Sequence, residues 1–256
     1  MTKTTRRNGD GLLDGQLAVI TGATSGIGLA VAERFLAEGA DLIITGTDAE
    51  RAESARAALG GRVDVLVADA AVLADIDRLA SRLAESGRRV DVLVANAGRD
   101  VAATPLVEMT PEAFDHVADL NFRGTFFAVQ KIAPLMSDGG RIVLVSSIAG
   151  HNGGPGHSVY NASKAAIRSL ARTITSELRE RGIRANVVSP GPTATDGFAR
   201  FTGGSSAVEQ TVASMVPVGR IGRPDEIAAA VLFLASAESS FVAGAELVVD
   251  GGMSQV

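Results

Sequence analysis

Tyr160, the only tyrosine in a chain of 256 residues, stands four residues before Lys164, and Ser147 lies thirteen residues upstream at the end of the apolar run Ile142-Val143-Leu144-Val145. On one helix that four-residue step puts phenol and ammonium on the same face. A cation beside a phenol favours the phenolate and draws its pKa down from about 10, which is what a tyrosine needs in order to give and take protons. Tyr160 is therefore the first candidate for a catalytic acid/base. A bare Tyr-x-x-x-Lys is otherwise a core aromatic beside a surface lysine, so the surrounding elements decide between the two.

Alanine, valine, leucine and glycine dominate while aromatic residues make up 4% of the chain, which suits helices packed on a parallel sheet better than a β-sandwich. The length is that of one large α/β domain. A net charge of −5 argues against a nucleic-acid or anionic-membrane partner. Lys3, Arg6 and Arg7 fall in residues 1–13, a polar stretch expected as a flexible N-terminal tail without a signal-like apolar segment. No uninterrupted apolar run reaches ~20 residues, so a soluble, cytoplasmic protein is expected. Without cysteine there is no thiolate chemistry and no cysteine-held metal centre. His116, His151 and His157 lack metal-site spacing, so no metal is expected either.

The elements that would position these residues alternate in type. Leu17-Ala18-Val19-Ile20 reads as a strand that breaks into a glycine turn, after which Ile27, Val31 and Phe35 recur at helical spacing until Gly39. Leu42-Ile43-Ile44 forms the next strand. Helices are expected near 49–59, 72–86, across 104–136, over about 158–181 and at 224–236, with strands at 63–67, 91–95, 141–146, 184–189 and 245–249. Apolar strands separated by helices predict a single α/β domain over 14–256: a doubly wound, Rossmann-type parallel sheet with helices on both faces. The Gly-, Pro-, Ser- and Thr-rich stretch from Pro190 to Pro217 breaks the rhythm. Residues 192–217 are expected to form a substrate loop with a short helix near 207–215.

Gly22-Ala23-Thr24-Ser25-Gly26-Ile27-Gly28 follows the first strand and opens the first helix, where main-chain N–H groups and the positive helix end suit a pyrophosphate. A nucleoside-triphosphate loop would need a lysine after its last glycine, and Leu29 stands there. Asn96-Ala97-Gly98 closes the fourth strand, at the carboxyl end of the sheet where ligands bind.

Thr21-Gly-x-x-x-Gly-Ile-Gly28, Asn96-Ala97-Gly98, Asn121, Ser147 and Tyr160-x-x-x-Lys164, followed by Pro190-Gly191, match the order and spacing of the short-chain dehydrogenase/reductase family, which the chain resembles from about residue 14 to 252. The resemblance implies hydride transfer between the nicotinamide of NAD(H) or NADP(H) and the carbonyl or secondary-alcohol carbon of a small molecule. It makes Tyr160 the proton donor or acceptor and Ser147 a hydrogen-bond partner of the same substrate oxygen. Lys164 would lower the phenol pKa and hold the nicotinamide ribose, and Asn121 would hold a water linking Lys164 to solvent, or equally kink or cap a helix. Hydride addition makes an alkoxide, which donors placed at about 2.7–3.1 Å stabilise. Asp69-Ala70 resembles the segment that accepts the adenine amino group, although Asp69 equally suits a helix N-cap. Pro190-Gly191 with Thr193 and Thr195 resembles the segment touching the carboxamide and phosphates, or is a simple turn. Many relatives carry a second asparagine where this chain has Ala95.

Gly46 and Thr47 occupy the positions where the family's NAD users place an acid and its NADP users often follow with an arginine. Asp48 lies near the ribose-binding offset but past the strand, where it also suits an N-cap. With Thr47 and Arg51 available to a 2′-phosphate the reading is NADP(H), with NAD(H) the alternative. Arg99, His151, Asn152, His157, Phe198 and Phe201 are the substrate-wall candidates, Arg99 for a substrate carboxylate; each is otherwise an exposed loop residue. In the family, the helices corresponding to 104–136 and 158–181 pair between subunits, which implies a homotetramer. The rival function is a non-catalytic dinucleotide-binding redox sensor, against which the joint presence of Ser147, Tyr160 and Lys164 speaks. Sugar-nucleotide epimerases usually have a longer C-terminal domain, and enoyl reductases separate tyrosine and lysine by more residues.

Overall fold

Short aliphatic runs become strands here because helices cover both of their faces. The computed structural model describes residues 11–256. Its first half contains β1 (Leu17–Thr21), α1 (Gly26–Ala37), β2 (Asp41–Gly46), α2 (Ala49–Leu59), β3 (Val63–Val67), α3 (Leu73–Glu85) and β4 (Val90–Ala95). The second half adds α4 (Pro111–Ala118), α5 (Thr125–Ile132), β5 (Met136–Val145), α6 (Ser158–Glu177), β6 (Arg184–Pro190), α7 (Asp196–Phe201), α8 (Ser206–Ser214), α9 (Pro224–Ala235) and β7 (Glu246–Val249). The strands form one parallel sheet in the order β3-β2-β1-β4-β5-β6-β7. The order reverses between β1 and β4, and a doubly wound sheet opens its ligand crevice at that point.

Alternation along each strand divides the core in two. Ala18 and Ile20 of β1 with Val143 and Val145 of β5 meet α1 and α9 on one face, around the fully buried Phe35. Leu17 and Val19 with Ile142 and Leu144 meet α3, α5 and α6 on the other. The expected N-terminal tail lies outside the described residues up to residue 10. Its last residues belong to the domain, because Leu13 is fully buried in the Phe35 core.

Three departures from the sequence reading bear on function. The expected helical stretch 104–136 is interrupted by a π-helical turn over Asp119–Gly124, where the Thr125 hydroxyl donates to Asn121 O at 2.9 Å. Such turns re-aim a side chain within a helix. Gly124 is required there, since a Cβ would lie 2.2 Å from Ala70 O. The strand expected at 141–146 begins at Met136, with a register shift against β4 between Val90 and Val92. The loop after β6 holds two helices rather than one. The additional helix, α7, starts where the Thr195 hydroxyl accepts from Phe198 N–H at 3.2 Å.

Candidate active site

A crevice of about 920 Å³ opens at the carboxyl ends of β1, β2, β4, β5 and β6. At its floor, the Asn96 side-chain amide donates to Thr21 O and Gly22 O at 3.1 and 2.8 Å, pinning the end of β4 to the glycine turn. Gly22 has a φ of +63°, which L side chains rarely adopt. A Cβ on Gly28 would lie 2.3 Å from Gly22 O and 2.6 Å from Asn96 Nδ2. The turn is thus built without side chains at the approach to the first helix, a cradle that fits a dinucleotide pyrophosphate. Gly28→Ala is expected to lower stability by roughly 1–3 kcal/mol through this overlap and to weaken dinucleotide binding, measured by denaturant unfolding and cofactor titration.

Ser147 and Tyr160 enter the crevice from the end of β5 and the first turn of α6. The Ser147 hydroxyl lies within reach of the Tyr160 phenol, close enough to oppose the rise in its pKa, and Ser147 Oγ accepts from Ala149 N–H at 3.1 Å. Lys164 lies one turn further along α6, with its Nζ donating to Val145 O at 3.1 Å and standing 5.6 Å from the Tyr160 ring centre. The three groups converge as the spacing predicts. Their electrostatics differ from the simple expectation of a lowered phenol pKa. Burial pushes the Tyr160 phenol above its ordinary value, against the hydrogen bond from Ser147, and the Asp100 charge adds to the rise. Burial also lowers the Lys164 ammonium to about 8, with Asp100 opposing. Desolvation outweighs the benefit that a neighbouring cation would give the phenolate.

Residues 22–254 match the family model for enoyl-(acyl carrier protein) reductase. The oxidoreductase asL5 of Sarocladium schorii is 43% identical over 95% of this chain and 98% of its own. The NADP-dependent (R)-specific alcohol dehydrogenase of Lentilactobacillus kefiri is 36% identical over 94% of this chain and 97% of its own. Among solved structures, a short chain dehydrogenase/reductase family protein superposes with a TM-score of 0.86 at 42% identity, covering 95% of this chain and 99% of that one. The 3-ketoacyl-(acyl-carrier-protein) reductase of Brucella melitensis, complexed with NADH, superposes with a TM-score of 0.87 at 31% identity, covering 94% and 99%. The chain belongs to the short-chain dehydrogenase/reductase family.

In this short-chain dehydrogenase/reductase the glycine turn, Thr47, Asp69-Ala70, Asn96-Ala97-Gly98, Pro190-Gly191, Thr193 and Thr195 all line the one crevice. Asp69 is not the N-cap of α3, which is Val72; its Oδ1 accepts from Ala71 N–H at 2.8 Å instead. Asp48 does cap α2, accepting from Arg51 N–H at 2.9 Å. Gly191 lets β6 pass Asp250, whose Cα would lie 2.7 Å from an added Cβ. At the position expected to carry a ribose-binding acid, a Cβ on Gly46 would meet Thr24 Oγ1 at 2.3 Å, so a side chain there requires the Thr24 side chain to move.

Asn121 lies outside the crevice lining, almost wholly buried. Its amide binds the main chain of Arg99 twice, accepting from N–H and donating to O, both at 2.8 Å, and donates to Ser163 Oγ at 3.2 Å. It clasps the loop after β4 to α6. Arg99, His157 and Phe198 line the crevice together with Asn152 and Phe201, and Arg99 Nε is buried without a hydrogen-bond partner among the described residues. His151 does not line it, contrary to the sequence reading: the 3-10 turn Ile148–His151 carries its ring away, and Nε2 lies 2.7 Å from Glu246 Oε1 on β7. Two residues escaped sequence reasoning. Asp100 pairs with His157 at 2.7 Å, and Asp196 pairs with Arg51 at 3.3 Å across the crevice mouth. The position of Asp100 two residues beyond Gly98 was the available signal for the first. Nothing in sequence linked 51 to 196.

Among the described residues no helix is long and apolar enough to cross a membrane, and no group of histidine and carboxylate side chains could hold a metal ion.

Proposed function

We propose that this oxidoreductase interconverts a carbonyl compound and its secondary alcohol with NADP(H), with Tyr160 as the general acid/base, and works in the cytoplasm on a small-molecule substrate. The observation that carries this reading is the Ser147–Tyr160 hydroxyl pair facing the dinucleotide crevice beside the buried Lys164 amine. The nicotinamide supplies or accepts the hydride when bound. Ser147 and Tyr160 supply two hydroxyls to one substrate oxygen, stabilising the alkoxide that develops there. Because the phenol stays protonated at neutral pH, it is poised to give its proton to that alkoxide; the oxidative direction gains as pH rises and the phenol ionises. Lys164 would hold the nicotinamide ribose, as the family resemblance implies, and Asn121 acts as a positioning residue that fixes the wall beside it. The four-residue step from Tyr160 to Lys164 favours carbonyl over enoyl reduction, and the intact hydroxyl pair speaks against a non-catalytic sensor.

Relatives use both cofactors: one solved structure holds NADH and one relative is named as NADP-dependent. NADP(H) is favoured here by Gly46, which places no carboxylate where the Thr24 side chain fills the space, and by Arg51 at the rim. The Arg51–Asp196 pair is about half exposed on both sides. Such pairs contribute only ~0–1 kcal/mol, so a 2′-phosphate competes for the guanidinium. A nicotinamide absorbance assay over ketones and secondary alcohols with both cofactors tests the proposal. Turnover is expected, with higher kcat/KM for NADP(H). Cofactor binding without turnover would favour the sensor, and better kcat/KM with NAD(H) would overturn the cofactor choice.

A homotetramer is part of the same proposal. Phe114, Phe122 and Phe126 leave 39–49% of their surface exposed along α4, the π turn and α5, and Phe241 is fully exposed before β7. Apolar rings grouped this way suit burial between subunits. Sedimentation is expected to give a tetramer at micromolar concentration, and Phe122→Glu with Phe126→Glu to give smaller species.

A further inference from the structure

The loop after β4 is fastened to the residues that start α6. Thr104 N–H donates to Gly156 O at 2.9 Å, and a Cβ on Gly156 would lie 2.9 Å from that of Ala103. Alongside, Asp100 uses both carboxylate oxygens: Oδ1 accepts from Val101 N–H at 2.8 Å and Oδ2 lies 2.7 Å from His157 Nδ1. His157 occupies the N-cap position of α6, yet its ring makes no capping bond. Side chains at that position ordinarily satisfy the first helical N–H groups. This imidazole is instead held by a carboxylate, which fixes the ring proton on Nδ1. Nε2 has no protein partner among the described residues. His157 stands three positions before Tyr160 at the start of α6, and both line the crevice. Asp100 lines the same crevice as Tyr160 and Lys164, and its charge acts on both. Phe201 packs on the imidazole with ring centres 5.7 Å apart, and Phe198 stacks on Phe201 at 6.3 Å and 27°.

We propose that His157, oriented by Asp100 and flanked by Phe198 and Phe201, forms a substrate subsite for an aromatic carbonyl compound bearing a second oxygen function, which hydrogen-bonds His157 Nε2. This deepens, and rests on, the carbonyl-reductase reading above. A neutral ring accepts from a substrate hydroxyl through Nε2, and a protonated ring donates to a carbonyl. A substrate with only hydrocarbon at that point would cover Nε2 without replacing its lost water, which disfavours it. The phenylalanine rings supply the flat apolar wall that an aryl group stacks on. Asp100 is the positioning residue, acting through the imidazole.

The test compares acetophenone with 3′- and 4′-hydroxyacetophenone, each ketone with NADPH, using the acetophenone rate of every variant as its own reference. Wild type is expected to prefer at least one hydroxylated ketone by about tenfold in kcat/KM, the size of one well-placed hydrogen bond. His157→Phe is expected to bring the ratio within about twofold of one, His157→Gln to keep part of the preference, and Asp100→Asn to lower it. A wild-type ratio near one for both hydroxylated ketones, or a preference untouched by His157→Phe, overturns the subsite. Should no ketone be reduced by protein that binds NADPH, the carbonyl-reductase reading fails on its own. Calorimetric affinities of the same compounds for the NADP+ complex, wild type against His157→Phe, then decide the subsite by the same ratios.

Discussion

Tyr160→Phe is expected to lower kcat by ~10²–10⁴ in both directions while leaving NADP(H) affinity and the fold in place. The substitution keeps the ring and removes one oxygen. That oxygen lies within reach of the Ser147 hydroxyl on a ring whose centre is 5.6 Å from the buried Lys164 amine, so its loss removes the proton donor beside Ser147. Unfolding should change by only ~1 kcal/mol, the net contribution of one hydrogen bond. Ser147→Ala should be less severe, since the phenol remains to transfer the proton. Steady-state rates with cofactor titration by protein-bound NADPH fluorescence separate the cases. A variant within tenfold of wild type in kcat would remove Tyr160 from the chemistry.

The path from sequence to this site was short where local pattern fixed position and long where side chains met across the fold. Parallel strands buried on both faces read as continuous aliphatic runs, so β1, β2 and β4 were visible from Leu17-Ala18-Val19-Ile20 and its counterparts. Tyr160 and Lys164 were legible because helical periodicity alone puts them on one face. The π turn at Asn121 was not, since it depends on Gly124 meeting the Ala70 carbonyl from a distant loop. His151 and His157 looked alike as polar loop residues. Only the turn of the chain after Ser147 sends one ring to Glu246 and the other to Asp100. Electrostatics were hidden for a related reason: a four-residue spacing reports the nearness of a cation, whereas burial, which here dominates both groups, belongs to the assembled tertiary structure.

That burial makes Lys164 a stability liability that function retains. Its side chain is almost wholly enclosed, and its ammonium has the Val145 carbonyl at 3.1 Å but, among the described residues, no carboxylate in contact. The folded-state pKa of about 8 lies below the ordinary lysine value of 10.5. Between those two values the unfolded chain binds a proton that the folded chain has released, so stability rises with pH across the window. Below about pH 8 the folded protein must hold a desolvated cation and the penalty is fully present. At ~1.4 kcal/mol per pH unit the difference amounts to about 3 kcal/mol. Lys164→Met, which replaces the chain with an uncharged one of similar volume, is therefore expected to raise unfolding free energy at pH 7 by roughly 2–3 kcal/mol while abolishing turnover. The gain should shrink steadily from pH 8 to pH 10.5, because across that window the folded wild type has released the proton that its unfolded chain still binds. Urea unfolding of the two proteins at pH 7 and pH 9.5 measures it. Equal stability at pH 7, or a difference that does not close at higher pH, would mean that solvent or an anion reaches the amine and that its charge is not enclosed.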